Sequence, residues 1–311
     1  MKSKGALFMT EIHIPVFLDD VLNELDIAPN DIIFEGTVGF SGHASEICKQ
    51  LFSHQLEAGI YLGVDRDSDA FLFSKKKLSQ YPHAFLYQTT FDQISTIKQS
   101  HQISAFTKLF LDLGVSSYQL DTPERGFSYT YSGPLDMRMS MDEPLSAADI
   151  LNNYDEEALS RVFDSYSDLH SYQKLIDTIL IYRQNQSFLE TDQLIDVIKK
   201  SFYFRNNRKL FLRTCAQVFQ SIRIEVNDEL GCLHRFLDHL KDNMAVGGRL
   251  AIITFHSIED RIVKQFAKNQ NWLVPVGKKV RQYTYHQAKT NPRARSAKLR
   301  VLERIAPLDK G

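Results

Sequence analysis

The sequence predicts an α/β fold: a Rossmann-like sheet interrupted by an inserted all-helical domain. Three observations carry that expectation. Apolar runs of strand length alternate with helix-length segments over residues 31–112 and again after 249. A glycine-rich turn, Gly36-Thr37-Val38-Gly39-Phe40-Ser41-Gly42-His43, joins the first run to a helix. From Ser146 to about Lys209 helical spacing recurs with no strand signal.

His13-Ile14-Pro15-Val16 leads into a helix whose apolar residues fall at 17, 18, 21, 22 and 25. Asp31–Glu35 reads as a buried first strand, and the helix after the turn opens at Ala44. Glycines there let the backbone approach a ligand, and the helix start offers free N–H groups to an anion. The second strand, Ala58–Val64, ends at Asp65, 23 residues after Gly42, where a carboxylate can accept hydrogen bonds from two ribose hydroxyls. The turn lacks the dinucleotide spelling G-x-G-x-x-G. An acid ending the first strand, with glycines four and seven positions later, is closer to the loop of S-adenosylmethionine (AdoMet) methyltransferases. AdoMet carries an amino-acid tail in place of a pyrophosphate, so no tight diphosphate cradle is needed.

Ser68–Leu78 reads as a helix and Ala84–Tyr87 as the third strand, with Phe91-Asp92 just past its end. An aromatic at that position can stack on adenine or belong to the core. Phe106–Asp112 is the fourth strand, again ending in an acid. The long irregular stretch that follows, to Met139, is too rich in aromatic and apolar residues for disorder. Helical segments at 147–151, 157–163, 174–181 and 191–198, the last with Thr191 as its cap, place the insertion at 131–213. That leaves 1–130 plus 214–311 as the cofactor-binding sheet domain. The insertion closes on residues 199–213, with six positive charges, four aromatics and no acid, a composition suited to RNA through Arg205, Arg208 and Lys209. Val218–Leu240 then reads as one long helix broken by Gly247-Gly248. Arg249–His256 is a fifth strand, Ser257 caps the next helix, and last strands cover Trp272–Val276 and Leu299–Ile305. Residues 278–304 hold nine Lys/Arg, including Arg293 and Arg295, against the single acid Glu303, which favours a polyanion partner.

With 37 basic and 38 acidic residues, global charge names no partner. Cys48, Cys215 and Cys232 form no C-x-x-C pair, so neither a disulfide framework nor a metal site is expected. No signal peptide or membrane span is apparent, and a soluble cytoplasmic protein is expected.

A family resemblance joins these pieces. The turn at 36–43, Asp65-Arg66-Asp67, Asp112-Leu113-Gly114-Val115-Ser116-Ser117, Arg125-Gly126-Phe127-Ser128, Gly133-Pro134-Leu135-Asp136-Met137-Arg138-Met139, Phe255-His256-Ser257-Ile258-Glu259-Asp260-Arg261 and Asn291-Pro292-Arg293-Ala294-Arg295-Ser296 run in order along nearly the whole chain. They resemble the bacterial 16S rRNA cytosine-N4 methyltransferases. The resemblance implies a class I AdoMet-dependent methyltransferase acting on a cytidine in the decoding region of 16S rRNA, within the small ribosomal subunit. It implies AdoMet contacts at Ser41, Gly42, His43, Asp65, Phe91, Asp112 and Gln119. The chain departs from the family pattern at Glu35, where aspartate is usual, and at Ser41, where glycine is usual. It departs again at Tyr166-Ser167-Asp168, for Tyr-Gly-Glu, and at 213–217, for His-Pro-Ala-Thr-Arg.

Methylating an exocyclic amine requires acceptors that orient its N–H groups. Asp112 and Asp136 are candidates. His256 is a candidate for proton removal, although a lone histidine there is more often structural. Two rival readings are an NAD-linked oxidoreductase, which the loop spelling disfavours, and a non-enzymatic ribosome-assembly factor, which has less need of the 112–139 block.

Overall fold

The computed structural model describes residues 15–53, 58–169, 171–277, 280–283 and 291–306. His13 and Ile14, Lys278, Lys279, Tyr285 and Lys289 fall outside them, as does the side chain of Arg293. The chain separates into two compact units: one runs to Gly114 and resumes at Cys232, and the other is Val115–Gly231.

Among the described residues the first unit holds one sheet of eight strands: β1 (Ile32–Glu35), β2 (Ile60–Asp65), β3 (Ala84–Gln88), β4 (Phe106–Asp112), β5 (Met244–Thr254), β6 (Leu273–Pro275), β7 (Arg281–Gln282) and β8 (Lys298–Arg304). Their order is β3-β2-β1-β4-β5-β8-β6, with β7 on β8. β1 to β5 are parallel, and β8 runs antiparallel to β5. Strands buried on both faces read as continuous apolar runs, which is why β1, β2 and β4 were visible in the sequence. Phe34, Leu62, Leu109 and Leu250 point to one core, and their neighbours Ile33, Tyr61, Phe110 and Ala251 to the other. β1 lies between β2 and β4, so the chain leaves it in opposite directions. In open sheets of this kind the crevice outside the carboxyl ends of the strands at such a switch point is where ligands bind.

Helices α1 (Leu18–Leu25), α2 (Gly42–Leu51), α3 (Ser68–Leu78) and α4 (Ile94–Ser100) precede the second unit. That unit carries α5 (Ser117–Asp121), α6 (Ala147–Asn153), α7 (Glu156–Tyr166), α8 (Gln173–Asn185), α9 (Thr191–Ser201) and α10 (Arg208–Asn227). The chain continues with α11 (Glu229–Asn243) and α12 (Ser257–Asn269). Val21, Leu25 and Ile47 of α1 and α2 fill one core of the sheet, and Ile97, Phe236 and Val263 of α4, α11 and α12 fill the other. No described helix is long and apolar enough to cross a membrane.

The second unit is wider than the 131–213 of the sequence reading. The irregular stretch before 139 supplies Phe127, Leu135, Met137 and Met139 to its core. Asn227 clamps that stretch, accepting from Met139 N at 2.7 Å and donating to Met137 O at 2.8 Å. Arg125 donates to Met139 O at 2.8 Å.

Four local expectations are corrected. The helix expected over 218–240 is two helices, α10 and α11, separated at Asp228, whose left-handed backbone (φ 46°) ends α10. The apolar period continues across one residue, so periodicity misses the break. Gly247-Gly248 does not precede β5 but lies within it, where the pairing with β4 shifts register between Phe106 and Lys108. The cap of α12 is His256, not Ser257: its ring accepts from Glu259 N, and Glu259 Oε2 accepts from His256 N at 3.3 Å. Glu190, not Thr191, is the cap residue of α9; the Thr191 hydroxyl instead accepts from Gly133 N at 3.2 Å.

Candidate active site

The glycine turn is built by close approach. A Cβ on Gly36 would lie 2.2 Å from Leu111 Cδ2 and 2.6 Å from Phe91 Cβ, so only glycine lets the turn leave β1 between β4 and the segment after β3. Gly39 is left-handed (φ 53°) with open space where its Cβ would be. Gly36 N donates to Phe110 O at 2.9 Å and Val38 N to Val64 O at 3.1 Å, tying the turn to β4 and β2.

Three strand-end acids surround the turn. Asp65, at the end of β2, accepts from Gly39 N through Oδ2 at 2.7 Å and from Asp67 N through Oδ1 at 2.9 Å. Each oxygen keeps a lone pair for a further donor. Burial pushes this carboxyl up to about 6, against the opposing pull of the two N–H bonds. Asp112, at the end of β4, is fixed through its backbone, whose N–H donates to the Thr37 hydroxyl at 2.6 Å. Its Oδ1 is buried with no hydrogen-bond partner among the described residues, and Oδ2 lies 3.7 Å from His43 Nδ1. Burial, followed by repulsion from Glu259, pushes Asp112 up to about 7. Glu35 is fully buried beneath the turn, where Tyr61 donates to Oε2 at 2.7 Å and burial drives the carboxyl well above its ordinary value. The glutamate that stands for an aspartate thus reaches a partner on β2.

The other expected cofactor residues of this unit take up related positions. Phe91 opens a 3-10 turn just after β3 and packs edge-on against Phe236, ring centroids 5.7 Å apart. Gly42 begins α2, with Pro15 Cγ 2.7 Å from where its Cβ would be. His43 is buried, its Nε2 3.0 Å from Val16 O. Ser41 does adopt the left-handed backbone that glycine favours (φ 60°). Its hydroxyl donates to Ser74 of α3 at 2.5 Å, and Ser74 in turn donates to Gly39 O at 2.7 Å. Ser41→Ala should therefore be less stable than Ser41→Gly by about 1 kcal/mol, because only glycine relieves the strain. Urea unfolding reads the difference, and equal midpoints would show that the backbone is unstrained.

Gln119 lies in the second unit, where its Oε1 accepts from Ser116 N at 3.0 Å and closes a capping box at α5. Asp136 lies there too, and both its oxygens are taken by Arg138, at 3.0 and 2.8 Å. In the first unit His256 caps α12 through Nδ1, which accepts from Glu259 N at 3.4 Å, while its Nε2 lies 3.0 Å from Glu259 Oε1 without a hydrogen bond. Of the three candidates, Asp112 through Oδ1 and His256 through Nε2 each keep a buried atom without a hydrogen-bond partner among the described residues, as does the strand-end acid Glu35 through Oε1, whereas Arg138 donates to both oxygens of Asp136. Sequence reasoning missed Thr37 and Glu259. The latter carries a usable signal, an acid three residues into a helix opening.

Among the described residues of the basic stretch near the C-terminus, three cations are paired with acids distant in sequence. Arg281 pairs with Asp20 and Glu24 of α1, and Lys298 and Arg300 share Asp260 at 2.8 Å each. Arg304 binds main-chain carbonyls of Lys241 and Met244. Arg295 is exposed. In the second unit Arg205, Arg208 and Lys209 are exposed and make no ion pair among the described residues, whereas Lys199 pairs with Asp196 at 2.9 Å. No group of three metal-ligating side chains occurs among the described residues.

The model of the MraW methylase family matches residues 10–305. The chain belongs to the MraW methylase family. Proteins named ribosomal RNA small subunit methyltransferase H are similar to it. That of Dictyoglomus thermophilum is 38% identical over 296 residues, covering 94% of this chain and 97% of its own. That of Mycoplasmopsis pulmonis is 39% identical over 307 residues, covering 95% and 100%. For this member of the methylase family, Glu35 and Ser41 are departures that the fold accommodates through Tyr61 and Ser74. Of the two replacements in the second unit, the one at 213–217 falls inside continuous α10 and the one at 166–168 falls at the end of α7.

Proposed function

We propose that this chain is an AdoMet-dependent rRNA methyltransferase that methylates N4 of a cytidine in the decoding region of 16S rRNA, in the cytoplasm, on the small ribosomal subunit. Membership of a methylase family disfavours the oxidoreductase and assembly-factor readings. The cofactor fits the residues present. AdoMet carries a sulfonium and an ammonium against one carboxylate, and the strand ends offer three buried acids, Glu35, Asp65 and Asp112. Ser41, Gly42, His43, Asp65, Phe91 and Asp112 of the first unit would hold it, with the two open lone pairs of Asp65 available to ribose hydroxyls, and the family resemblance adds Gln119 as a contact. Bound there, AdoMet supplies an electrophilic methyl group.

The protein's own part is to prepare the amine. The N4 lone pair is delocalised into the cytosine ring, so N4 must rehybridise as the new bond forms. The single observation that carries the assignment is the unsatisfied carboxyl of Asp112 beside the glycine turn. It accepts an N4–H, fixes the orientation of the amine and takes the proton that N4 must shed once methylated. A base that titrates near neutrality suits this step. Much of the remaining acceleration is positioning. Cys48, Cys215 and Cys232 are all buried, with thiols pushed up by burial, which leaves no nucleophile for carbon-5 methylation.

The helical unit is the RNA-recognition element, and Arg205, Arg208 and Lys209 are its phosphate contacts, with Arg293 and Arg295 adding contacts from the sheet unit. Replacing Arg205, Arg208 and Lys209 together with glutamine should lower the slope of log affinity against log salt by about 2, at roughly 0.7 per single-strand phosphate contact. AdoMet affinity should not move. A slope unchanged by the triple replacement removes these residues from the interface. The function itself is tested by nucleoside mass spectrometry of small-subunit rRNA with and without the protein. N4-methylated cytidine is expected; 5-methylcytidine, or no difference, overturns the reading.

A further inference from the structure

The segment that joins α9 to α10 presents its aromatics unequally. Phe202 and Phe204 are half-buried against the helical core, and Phe204 packs edge-on against Phe211 with centroids 5.2 Å apart. These three rings anchor the segment. Tyr203 is turned the other way and is 80% exposed, although a residue of its size ordinarily buries much of its surface. The guanidinium of Arg205 lies over its ring, 5.6 Å from the centroid.

This arrangement is held by strained backbone. Arg205 and Asn206 are consecutive non-glycine residues in the left-handed region, at φ 45° and 59°. Such conformations cost about 1 kcal/mol or more each and persist where the surroundings impose them. Here the two ends are fixed. Asn207 N donates to Phe204 O at 2.7 Å, and the Asn207 side chain caps α10 by accepting from Leu210 N at 3.0 Å. The turn between these anchors sets Arg205 back over Tyr203. In the same stretch of chain, Lys200, Arg208, Lys209 and Arg213 are exposed and make no ion pair among the described residues.

Resting on the rRNA methyltransferase reading above, we infer that Tyr203, backed by Arg205, is a stacking platform for an unpaired base of the RNA substrate. Charge selects a polyanion, and the exposed ring selects among polyanions. Phosphates of a duplex satisfy lysines and arginines but leave a flat aromatic face without a partner, because the bases are stacked on one another. A single-stranded segment offers both a backbone for the cations and a free base for the ring. The methylated cytidine must itself leave any stack to be modified, so unpaired neighbours belong to such a substrate. Holding a neighbouring base at Tyr203 fixes the register of the strand on the helical unit.

The test uses the full chain with Tyr203→Ala and Tyr203→Phe, a single-stranded oligonucleotide of the 16S decoding region, and the same oligonucleotide in a duplex. Binding is followed by fluorescence anisotropy over a range of salt, AdoMet affinity by calorimetry, and methylation on small subunits. Loss of one stacked base should weaken single-strand binding by Tyr203→Ala roughly 5- to 150-fold. The salt slope, duplex binding and AdoMet affinity should be unchanged, and KM for the RNA should rise with kcat retained. Tyr203→Phe should restore binding to within about twofold, since phenylalanine keeps the ring. Wild-type single-strand affinity in Tyr203→Ala overturns the inference. So does an equal loss on the duplex, or a loss confined to intact subunits, which would assign Tyr203 to a ribosomal-protein contact. If the wild-type chain neither binds the RNA nor methylates rRNA, it is the function reading that fails; an active wild type with an indifferent Tyr203→Ala sinks only the platform.

Discussion

Asp112→Asn is expected to lower the rate of rRNA methylation about a hundred- to a thousandfold, the range seen when one aligned polar group is removed from a reacting centre. The amide is nearly the same shape, but half of it donates where the carboxylate accepts, and it cannot take a proton. Single-turnover rates at saturating AdoMet isolate this loss from any loss of cofactor affinity. Wild-type rate should rise with pH up to about 7 as Asp112 ionises, and the variant should lose that limb. Stability should move the opposite way. The carboxyl ionises near 7 in the folded chain and near its ordinary 3.8 when unfolded, so folding takes up a proton between those values. Its contribution therefore becomes more favourable as pH falls from about 7 towards 4 and is fully unfavourable above 7. Asp112→Asn should be more stable than wild type at pH 8 and lose that advantage near pH 4. A variant that is less stable at pH 8, or that methylates at the wild-type rate, would remove Asp112 from the centre proposed here.

The parts of this site that were legible in the sequence are those in which a local pattern has one physical cause. A strand buried on both faces must be apolar throughout, so β1, β2 and β4 stood out, and with them the acids at their ends, Glu35, Asp65 and Asp112. The glycines at 36 and 39 mark a close approach and a left-handed turn. What was hidden depends on residues far apart in the chain. The excess charge over 278–304 suggested a polyanion surface, but Asp20, Glu24 and Asp260, outside that window, pair with Arg281, Lys298 and Arg300 among its described residues. The 199–213 segment is the better basic surface for the converse reason, since among the described residues only Asp196 pairs with it. Asp136 stood level with Asp112 as a candidate, and the structure shows that Arg138 binds both of its oxygens while Asp112 Oδ1 has no partner among the described residues.

Asp65→Ala should weaken AdoMet binding by about 1.5–3 kcal/mol, roughly 10- to 150-fold in Kd, the range for hydrogen bonds to a charged group. The expectation follows from how the carboxylate is held. Gly39 N and Asp67 N each occupy one oxygen, so the group cannot rotate, and its remaining lone pairs point in fixed directions. Removing it takes away the ribose acceptors and also releases the Gly39 N–H that shapes the turn. Asp65→Asn separates the two effects, because its carbonyl oxygen can still accept one of these bonds. Only the ionised form accepts from both hydroxyls, and Asp65 ionises near 6 in the free protein. Wild-type affinity should therefore fall as pH drops through 6, and Asp65→Asn should lose that component, keeping only the dependence that Asp112 contributes near 7. Calorimetry across that range reads both. An unchanged Kd for Asp65→Ala at pH 7.5 would place the ribose elsewhere in the crevice, and a wild-type affinity independent of pH would mean that the carboxylate binds the ligand in both protonation states.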